Sequence, residues 1–321
     1  MLKKKLLILS IPFLVLLTSC NKDKNQSLPS PVASDTLSAG WKNIQIIDST
    51  NFLDVFFINN TGFAVGSNIY KSSDGGESWT QLTSPLGTNS GNLVSIGMGN
   101  EKNAIFISSF AQLVTTHNGG ASFTTTTLPP SSLPDVFFIN SSVAYAVDNS
   151  VWKTIDGGGN WIKLHDFAPI HGWNSLFFIN EQIGWVLKQG AFYKTINAGI
   201  DWQRVNTDTI NLDQGGAVFF LNSDTGYISN NTSIEKTVNG GASWNKVFVC
   251  SAGSYHDIHF VSTNVGYITD GPRIFKTSDG GNTWTKEVAL GSVSKSLIEL
   301  HFTDANHGWA CGGKGTILKY N

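Results

Sequence analysis

Ser278-Asp279-Gly280-Gly281-Asn282-Thr283-Trp284 spells out a hairpin turn in residue types. An aspartate at the head accepts hydrogen bonds from the turn's own amides. The glycines supply the positive φ at which the chain reverses, and the tryptophan opens the next strand. Two further clear copies are Ser73-Asp74-Gly75-Gly76-Glu77-Ser78-Trp79 and Ile155-Asp156-Gly157-Gly158-Gly159-Asn160-Trp161. Weaker ones are Asn118-Gly119-Gly120-Ala121-Ser122-Phe123, Asn197-Ala198-Gly199-Ile200-Asp201-Trp202 and Asn239-Gly240-Gly241-Ala242-Ser243-Trp244. The closing aromatics fall at 79, 123, 161, 202, 244 and 284, spaced by 44, 38, 41, 42 and 40 residues. A period near 40, with room for four strands per unit, is that of a propeller blade. Asp74, Asn118, Asp156, Asn197, Asn239 and Asp279 then read as structural residues heading six turns.

A seventh blade is split between the ends of the folded body. Ile298-Glu299-Leu300-His301-Phe302, Gly308-Trp309-Ala310-Cys311-Gly312 and Thr316-Ile317-Leu318-Lys319 supply three strands, and the chain stops at Asn321 where another box would begin. Trp41-Lys42-Asn43-Ile44 resembles the strands that follow each box, such as Trp161-Ile162-Lys163-Leu164. The expectation is therefore an all-β fold, a seven-bladed β-propeller of four-stranded blades over residues 41–321, whose N-terminal strand closes the last blade. Ring closure leaves no free blade at which sheets would join edge to edge.

Upstream of this body, Lys3, Lys4 and Lys5 precede an apolar run from Leu6 to Leu17 that ends at Thr18-Ser19-Cys20. A basic start and a run this short read as a secretory signal rather than a membrane span. The small residues before the cysteine resemble the bacterial lipobox. Residues 1–19 are thus expected to be a lipoprotein signal peptide, with Cys20 the acylated first residue of the mature chain. Residues 20–40, rich in Ser, Pro, Lys and Asp, read as a flexible tether. Asn21 after the cysteine is not the aspartate that retains lipoproteins at the inner membrane, which favours the outer membrane of a bacterial envelope.

Only 14% of the residues are charged, against roughly 25% in an average soluble domain. With a formal net charge of −2 and only two arginines, Arg204 and Arg273, the chain lacks the basic footprint of a nucleic-acid binder. Cys250 and Cys311 fall in different repeats and read as buried free thiols.

The turns resemble the Asp-box (BNR) repeat of sialidases, sortilins and xyloglucan hydrolases. The fuller unit, carried by Phe56-Phe57-Ile58-Asn59 with Gly62-Phe63-Ala64-Val65-Gly66 and by Gly308-Trp309-Ala310-Cys311-Gly312, is most similar to the photosystem II stability/assembly factor family. The resemblance covers essentially the whole folded body and implies the propeller fold with Asp-box hairpins. Members of that family in photosynthetic cells help assemble a membrane complex and depend on a basic, arginine-bearing face. Two arginines do not build such a face, so the resemblance implies a scaffold without the photosystem client. A sialidase gathers three arginines around its substrate's carboxylate; this chain does not contain three. Asp-box endoglycanases set two carboxylates across the scissile bond, in a cleft between two propellers, and one propeller is expected here.

Aligning the first strands places Asp54, Ser95, Asp135, Ser175, Ala217, Asp257 and Glu299 at one position beside the central channel. Two residues on, blades one, three, four and five carry Phe56, Phe137, Phe177 and Phe219, whereas blades six and seven carry His259 and His301. Asp257 and His259 share a strand face, as do Glu299 and His301, with His256 close by. One reading is a cluster for a divalent metal or acid–base work; the other is imidazoles filling aromatic slots and acids serving the repeat. Phe63, Tyr145, Trp185, Tyr227, Tyr267 and Trp309 recur at one blade position and suit inter-blade packing. The connections carrying Trp173 and Tyr255, together with Arg273, complete the channel-face candidates. Three functions stay open: a non-catalytic, lipid-anchored scaffold for an envelope protein client, a glycan-binding or glycoside-degrading propeller, and a metal-dependent hydrolase on the blade six and seven cluster. No cofactor motif is present, and the scaffold reading asks least of these residues.

Overall fold

The computed structural model describes residues 34–46, 50–87, 91–110, 112–127, 135–167, 174–188, 190–205, 212, 216–230, 232–250 and 257–321. Cys20, the signal segment and most of the tether lie outside these residues, as do Trp173, Tyr255 and His256. Seven antiparallel sheets follow one another along the described chain. Blade one runs from an inner strand Asp54–Ile58 through Thr61–Val65 and Ile69–Ser72 to an outer strand Thr80–Leu82. The other inner strands are Leu93–Met98, Asp135–Phe138, Asn174–Phe178, Val218–Phe220, Ile258–Phe260 and Leu297–Asp304. Inner strands of successive blades pack on one another, that of blade seven against blade one included, so the ring is closed. Its closing element is the expected one. Trp41–Gln45 pairs antiparallel with Thr316–Tyr320 as the outer strand of blade seven, Trp41 facing Tyr320 and Gln45 facing Thr316. Trp41 is buried and meets Tyr267 and Phe302 edge-on at ring-centre distances of 6.2 and 6.0 Å.

The end of the expected tether is ordered onto the propeller. Thr36–Leu37 adds a fifth strand to blade six, pairing with Ala289 and Val288. Asp35 holds it there: Lys295 Nζ lies 2.7 Å from Oδ2, and the Gly291 amide donates to Oδ1 at 2.8 Å. Outer strands carry an open ladder edge, and this segment pairs with the last two residues of Thr285–Ala289, with Ser38 bonding Glu287 just beyond.

Each box is a hydrogen-bonded loop. In blade one the Ser72 hydroxyl donates to Asp74 Oδ1 (2.8 Å) and accepts from the Gly76 amide (2.8 Å), while the Ser78 amide donates to Asp74 Oδ1 (3.0 Å). Asn239 repeats the scheme with Thr237 and Ser243, so an amide oxygen serves as well as a carboxylate. Gly75 and Gly76 take φ of 71° and 89°, as the reversal requires. The closing Trp79 returns its indole N–H to the Gly76 carbonyl at 3.2 Å.

The recurrent aromatics bind blade to blade. Trp185 of blade four stacks on Phe220 of blade five at 3.6 Å and 6°, and Trp309 of blade seven on Phe57 of blade one at 3.7 Å and 8°. Tyr145 with Phe178, Tyr227 with Phe260 and Tyr267 with Phe302 repeat the pairing at 4.1 to 4.3 Å. All of these second-strand rings are buried, which is the inter-blade packing expected of them.

Candidate functional site

The seven aligned inner-strand residues meet around the axis, and the structure gives most of them the same task. The Ile96 amide of blade two donates to Asp54 Oδ2 of blade one at 2.6 Å. Ser95 Oγ donates to Asp135 Oδ1 at 2.9 Å, and Asp135 Oδ2 accepts the Leu176 amide of blade four at 2.9 Å. The Val218 amide reaches Ser175 Oγ at 3.3 Å, and the Leu300 amide reaches Asp257 Oδ2 at 2.8 Å. In each case the side chain that begins an inner strand clasps the next blade. Where the repeat has lost the acid, serine still does the work in blades two and four. Glu299 turns instead to Asp257, with which it shares a carboxyl–carboxylate hydrogen bond.

Of the two readings of these acids, the bonds agree with the one in which they serve the repeat. Asp54 and Asp257 are buried, and Asp135 and Glu299 keep only part of their surface. Burial penalises ionisation at each. It lifts the Asp135 carboxyl to about 6, against the lowering effect of the Leu176, Ser95 and Val136 hydrogen bonds. Asp54, Asp257 and Glu299 are also raised, first by burial; mutual repulsion adds to this, with Asp135 and Asp257 acting on Asp54 and with Asp257 foremost on Glu299. Cys311, paired across from Glu299 and fully buried, is pushed far above the usual thiol range by burial and by the same carboxylates. Cys250 is likewise buried and free, held up to about 12 mainly by burial.

One layer along the strands, the aromatic slots form an arc about the axis. Phe137, Phe177, Phe219, His259, His301 and Phe56 follow one another with ring centres 5.2, 5.0, 5.3, 5.6 and 4.1 Å apart. Blade two carries Gly97 at this position. The two imidazoles fill aromatic slots and use a ring nitrogen in the same inter-blade bond. His301 Nε2 lies 2.8 Å from the Phe57 carbonyl of blade one, and His259 bonds the Phe302 carbonyl of blade seven. Burial drives both below the ordinary histidine range, His259 to about 3 and His301 to about 4. Among the described residues no three His, Cys, Asp or Glu side chains converge to hold a metal ion. The sequence reading that Asp257, His259, Glu299 and His301 are neighbours is correct; their hydrogen bonds are spent on the ring itself.

Arg273 is not at the axis. It begins the third strand of blade six, where its guanidinium pairs with Asp270 at 2.5 Å and lies over the Phe275 ring at 5.9 Å. It stands at the end of the blade where the inner strand begins, but two ladders out from the channel.

Fold and axis together define a seven-bladed β-propeller with four-stranded blades and an inter-blade clasp at the centre. The family described as photosynthesis system II assembly factor YCF48 matches residues 250–321. The photosystem II assembly lipoprotein Ycf48 of Prochlorococcus marinus (strain MIT 9312) is 49% identical over 76 residues, which is 23% of this chain and 20% of that relative. Among solved structures, YCF48 bound to D1 peptide superposes with a TM-score of 0.70 at 19% identity, over 89% of this chain and 99% of that one. YCF48 from Cyanidioschyzon merolae gives 0.69 at 17%, over 88% and 99%. The Niastella koreensis GH74 enzyme gives 0.58 at 13%, over 85% of this chain and 43% of that enzyme. Over its last blade and a half the chain is similar in sequence to photosystem II assembly factors. The structural likenesses speak for fold, and the sequence match spans about a fifth of the curated relative.

Proposed function

We propose that this chain is a non-catalytic, lipid-anchored propeller that acts as an assembly scaffold, holding a protein client at the bacterial envelope. The axis carries the reading. The acids and imidazoles that an enzyme would need free are engaged in bonds between blades, and their shifted protonation follows from burial rather than from a substrate site. The relatives named above are assembly factors, one of them solved with a peptide, which supports a polypeptide as the kind of client. The basic start, the apolar run and Ser19-Cys20 support acylation of Cys20, with the outer membrane as its place.

The test is to tag the full chain in its native host, crosslink intact cells mildly and identify what co-purifies. One envelope protein near stoichiometric amounts is expected. Nothing above background, with retention on polysaccharide in affinity electrophoresis instead, overturns the scaffold reading in favour of a glycan binder. Cys20→Ala should move the chain from the membrane fraction to the soluble one; unchanged fractionation removes the lipid anchor.

A further inference from the structure

Seven large apolar side chains stand open to solvent among the described residues, and five of them lie on three successive blades at the box end of the ring. They are Ile155 and Ile162 in blade three, Ile196 and Ile200 in blade four, and Val238 in blade five, between 56 and 71% exposed. The repeat does not ask for them. Ile155, Ile196 and Val238 precede the head residue of their boxes, where blades one, two and six carry Ser73, His117 and Ser278 and build the same turn. Exposed β-branched aliphatics confined to one arc, at positions the fold fills elsewhere with polar residues, mark a contact surface.

The surroundings select the partner. Each box is tied to the turn between the first and second strands: Gly157 N to Ser142 O, Ala198 N to Gln182 O and Gly240 N to Asp224 O, at 2.8, 3.0 and 2.8 Å. Across these turns and boxes of blades three to five stand Asp156, Glu181, Asp201 and Asp224, all exposed, with no lysine or arginine among them. Glu181 spans two blades by accepting from Asn140 Nδ2 at 3.0 Å. The nearest cations are wedged between blades and do not outnumber these carboxylates: Lys194 Nζ donates to the Ser223 carbonyl in blade five's turn at 3.3 Å, and Lys236 Nζ to the Gly280 carbonyl of blade six at 2.6 Å. Lys153, Lys194 and Lys236 are half-buried, over the rings of Tyr145, Trp185 and Tyr227 at 5.2, 5.3 and 5.6 Å. Lys163 pairs with Asp166, Arg204 turns to the Gly190 carbonyl at the other end of its blade, and Lys246 sits on blade five's outer strand. An aliphatic strip rimmed by carboxylates repels its own copy and an anionic bilayer, and attracts a cationic amphipathic segment.

We infer that the box end of blades three to five is a docking surface for a protein segment with apolar side chains flanked by lysine or arginine. It rests on the scaffold reading and places the client on the ring.

The experiment installs the photoreactive residue benzoylphenylalanine in the full chain in its native host, in place of Ile196 and separately of Ser73. Crosslinked peptides are then mapped by mass spectrometry. The expected result is crosslinking from position 196 and not from 73, to a segment rich in Leu, Ile or Phe with adjacent Lys or Arg. Adducts with this chain itself, with lipid or with acidic segments overturn the proposal, as does equal yield from both positions. A second arm compares the Ile196→Ser/Val238→Ser chain, whose solvent-facing changes leave the packing intact. Client recovery should fall at least about tenfold at unchanged Tm, and added salt should weaken wild-type recovery. Undiminished recovery by this variant sinks the docking surface while leaving the scaffold standing; no client for either chain removes both.

Discussion

Ala198 is a residue out of place in its own repeat. Five of the six boxes carry glycine after the head residue, whereas here an alanine sits at φ 61°. The Cβ strain of that conformation is about 1–2 kcal/mol. Removing it costs some chain entropy in the unfolded state, about 0.4–1 kcal/mol. Ala198→Gly should therefore stabilise the fold by roughly 0.5–1 kcal/mol in urea titration, with the Tyr145 hydroxyl still donating to the residue 198 carbonyl at 3.0 Å. The axis histidines give a second residue-scale expectation. In the unfolded chain they protonate near pH 6.5, and in the fold not until about 4 and about 3. As pH falls below 6.5 the unfolded state binds two protons the native state refuses, so stability is lost through that window. Phenylalanine already fills these slots in four blades. His259→Phe/His301→Phe should thus gain on the wild type between pH 7.5 and 5, by up to about 2 kcal/mol per histidine less the lost carbonyl bonds. Asp135 runs the other way: raised to about 6, it penalises the fold above that pH and relieves it as pH falls toward 4. The wild type should accordingly gain on Asp135→Asn between pH 7 and 4.5; a pH-independent difference would refute the burial argument.

At the scale of elements, five of the seven second strands carry a glycine at or next to their start, where blades two and three carry Ala104 and Ala144, for a reason that periodicity alone does not show. A Cβ on Gly226 would stand 2.4 to 2.6 Å from the Phe220 ring, and Phe220 is fixed between Trp185 and Trp244. Gly62, Gly184, Gly266 and Gly308 meet Phe57, Phe178, Phe260 and Phe302 in the same way. Gly226→Ala should cost about 1–3 kcal/mol as overpacking, and Phe220→Leu in the same chain should recover part of that cost in a double-mutant cycle. Additive losses would mean the glycine serves backbone conformation instead. This pairing was in plain view as the Gly-aromatic dipeptide, yet its meaning needs the register that sets Phe220 opposite Gly226. Strand count, blade boundaries and the split seventh blade were legible because each box writes its own turn chemistry. The alignment also found the axial residues Asp54, Asp135, Asp257, Glu299, His259 and His301 and their proximity. What they do was not legible, since an acid clasping the next blade's amide and an acid awaiting a ligand are the same letter. Thr36–Leu37 is not legible because two residues carry no periodicity; what registers them on blade six is Asp35 with Lys295 and Gly291 on one side and Ser38 with Glu287 on the other.

For the whole molecule, closure is the feature on which the rest depends. Inner strands of blades seven and one pack together, and one five-residue strand, Trp41–Gln45, completes blade seven by pairing the N-terminal part of the folded chain with its last strand. Without it blade seven loses its outer ladder, and Trp41 leaves a buried site among Tyr267, Phe302 and Tyr320. Loss of a buried tryptophan alone costs about 3–5 kcal/mol, a large part of the 5–15 kcal/mol that holds a typical domain. The exposed edge of Thr316–Tyr320, rich in β-formers, then becomes a template for another chain. The neighbouring strand Thr36–Leu37 contributes far less, since it adds two residues to a blade already complete. Two truncations separate these roles. A chain beginning at residue 40 should keep a cooperative transition, lowered by about 1–2 kcal/mol for the lost ladder bonds and the Asp35–Lys295 pair. A chain beginning at residue 51 should lose the cooperative transition or associate through blade seven, seen as a concentration-dependent mass in sedimentation. A synthetic peptide of residues 38–50 added in trans should restore the monomer and its transition. A monomeric, cooperative 51–321 chain would show instead that six blades with a three-stranded seventh suffice, and that ring closure resides in inner-strand packing alone.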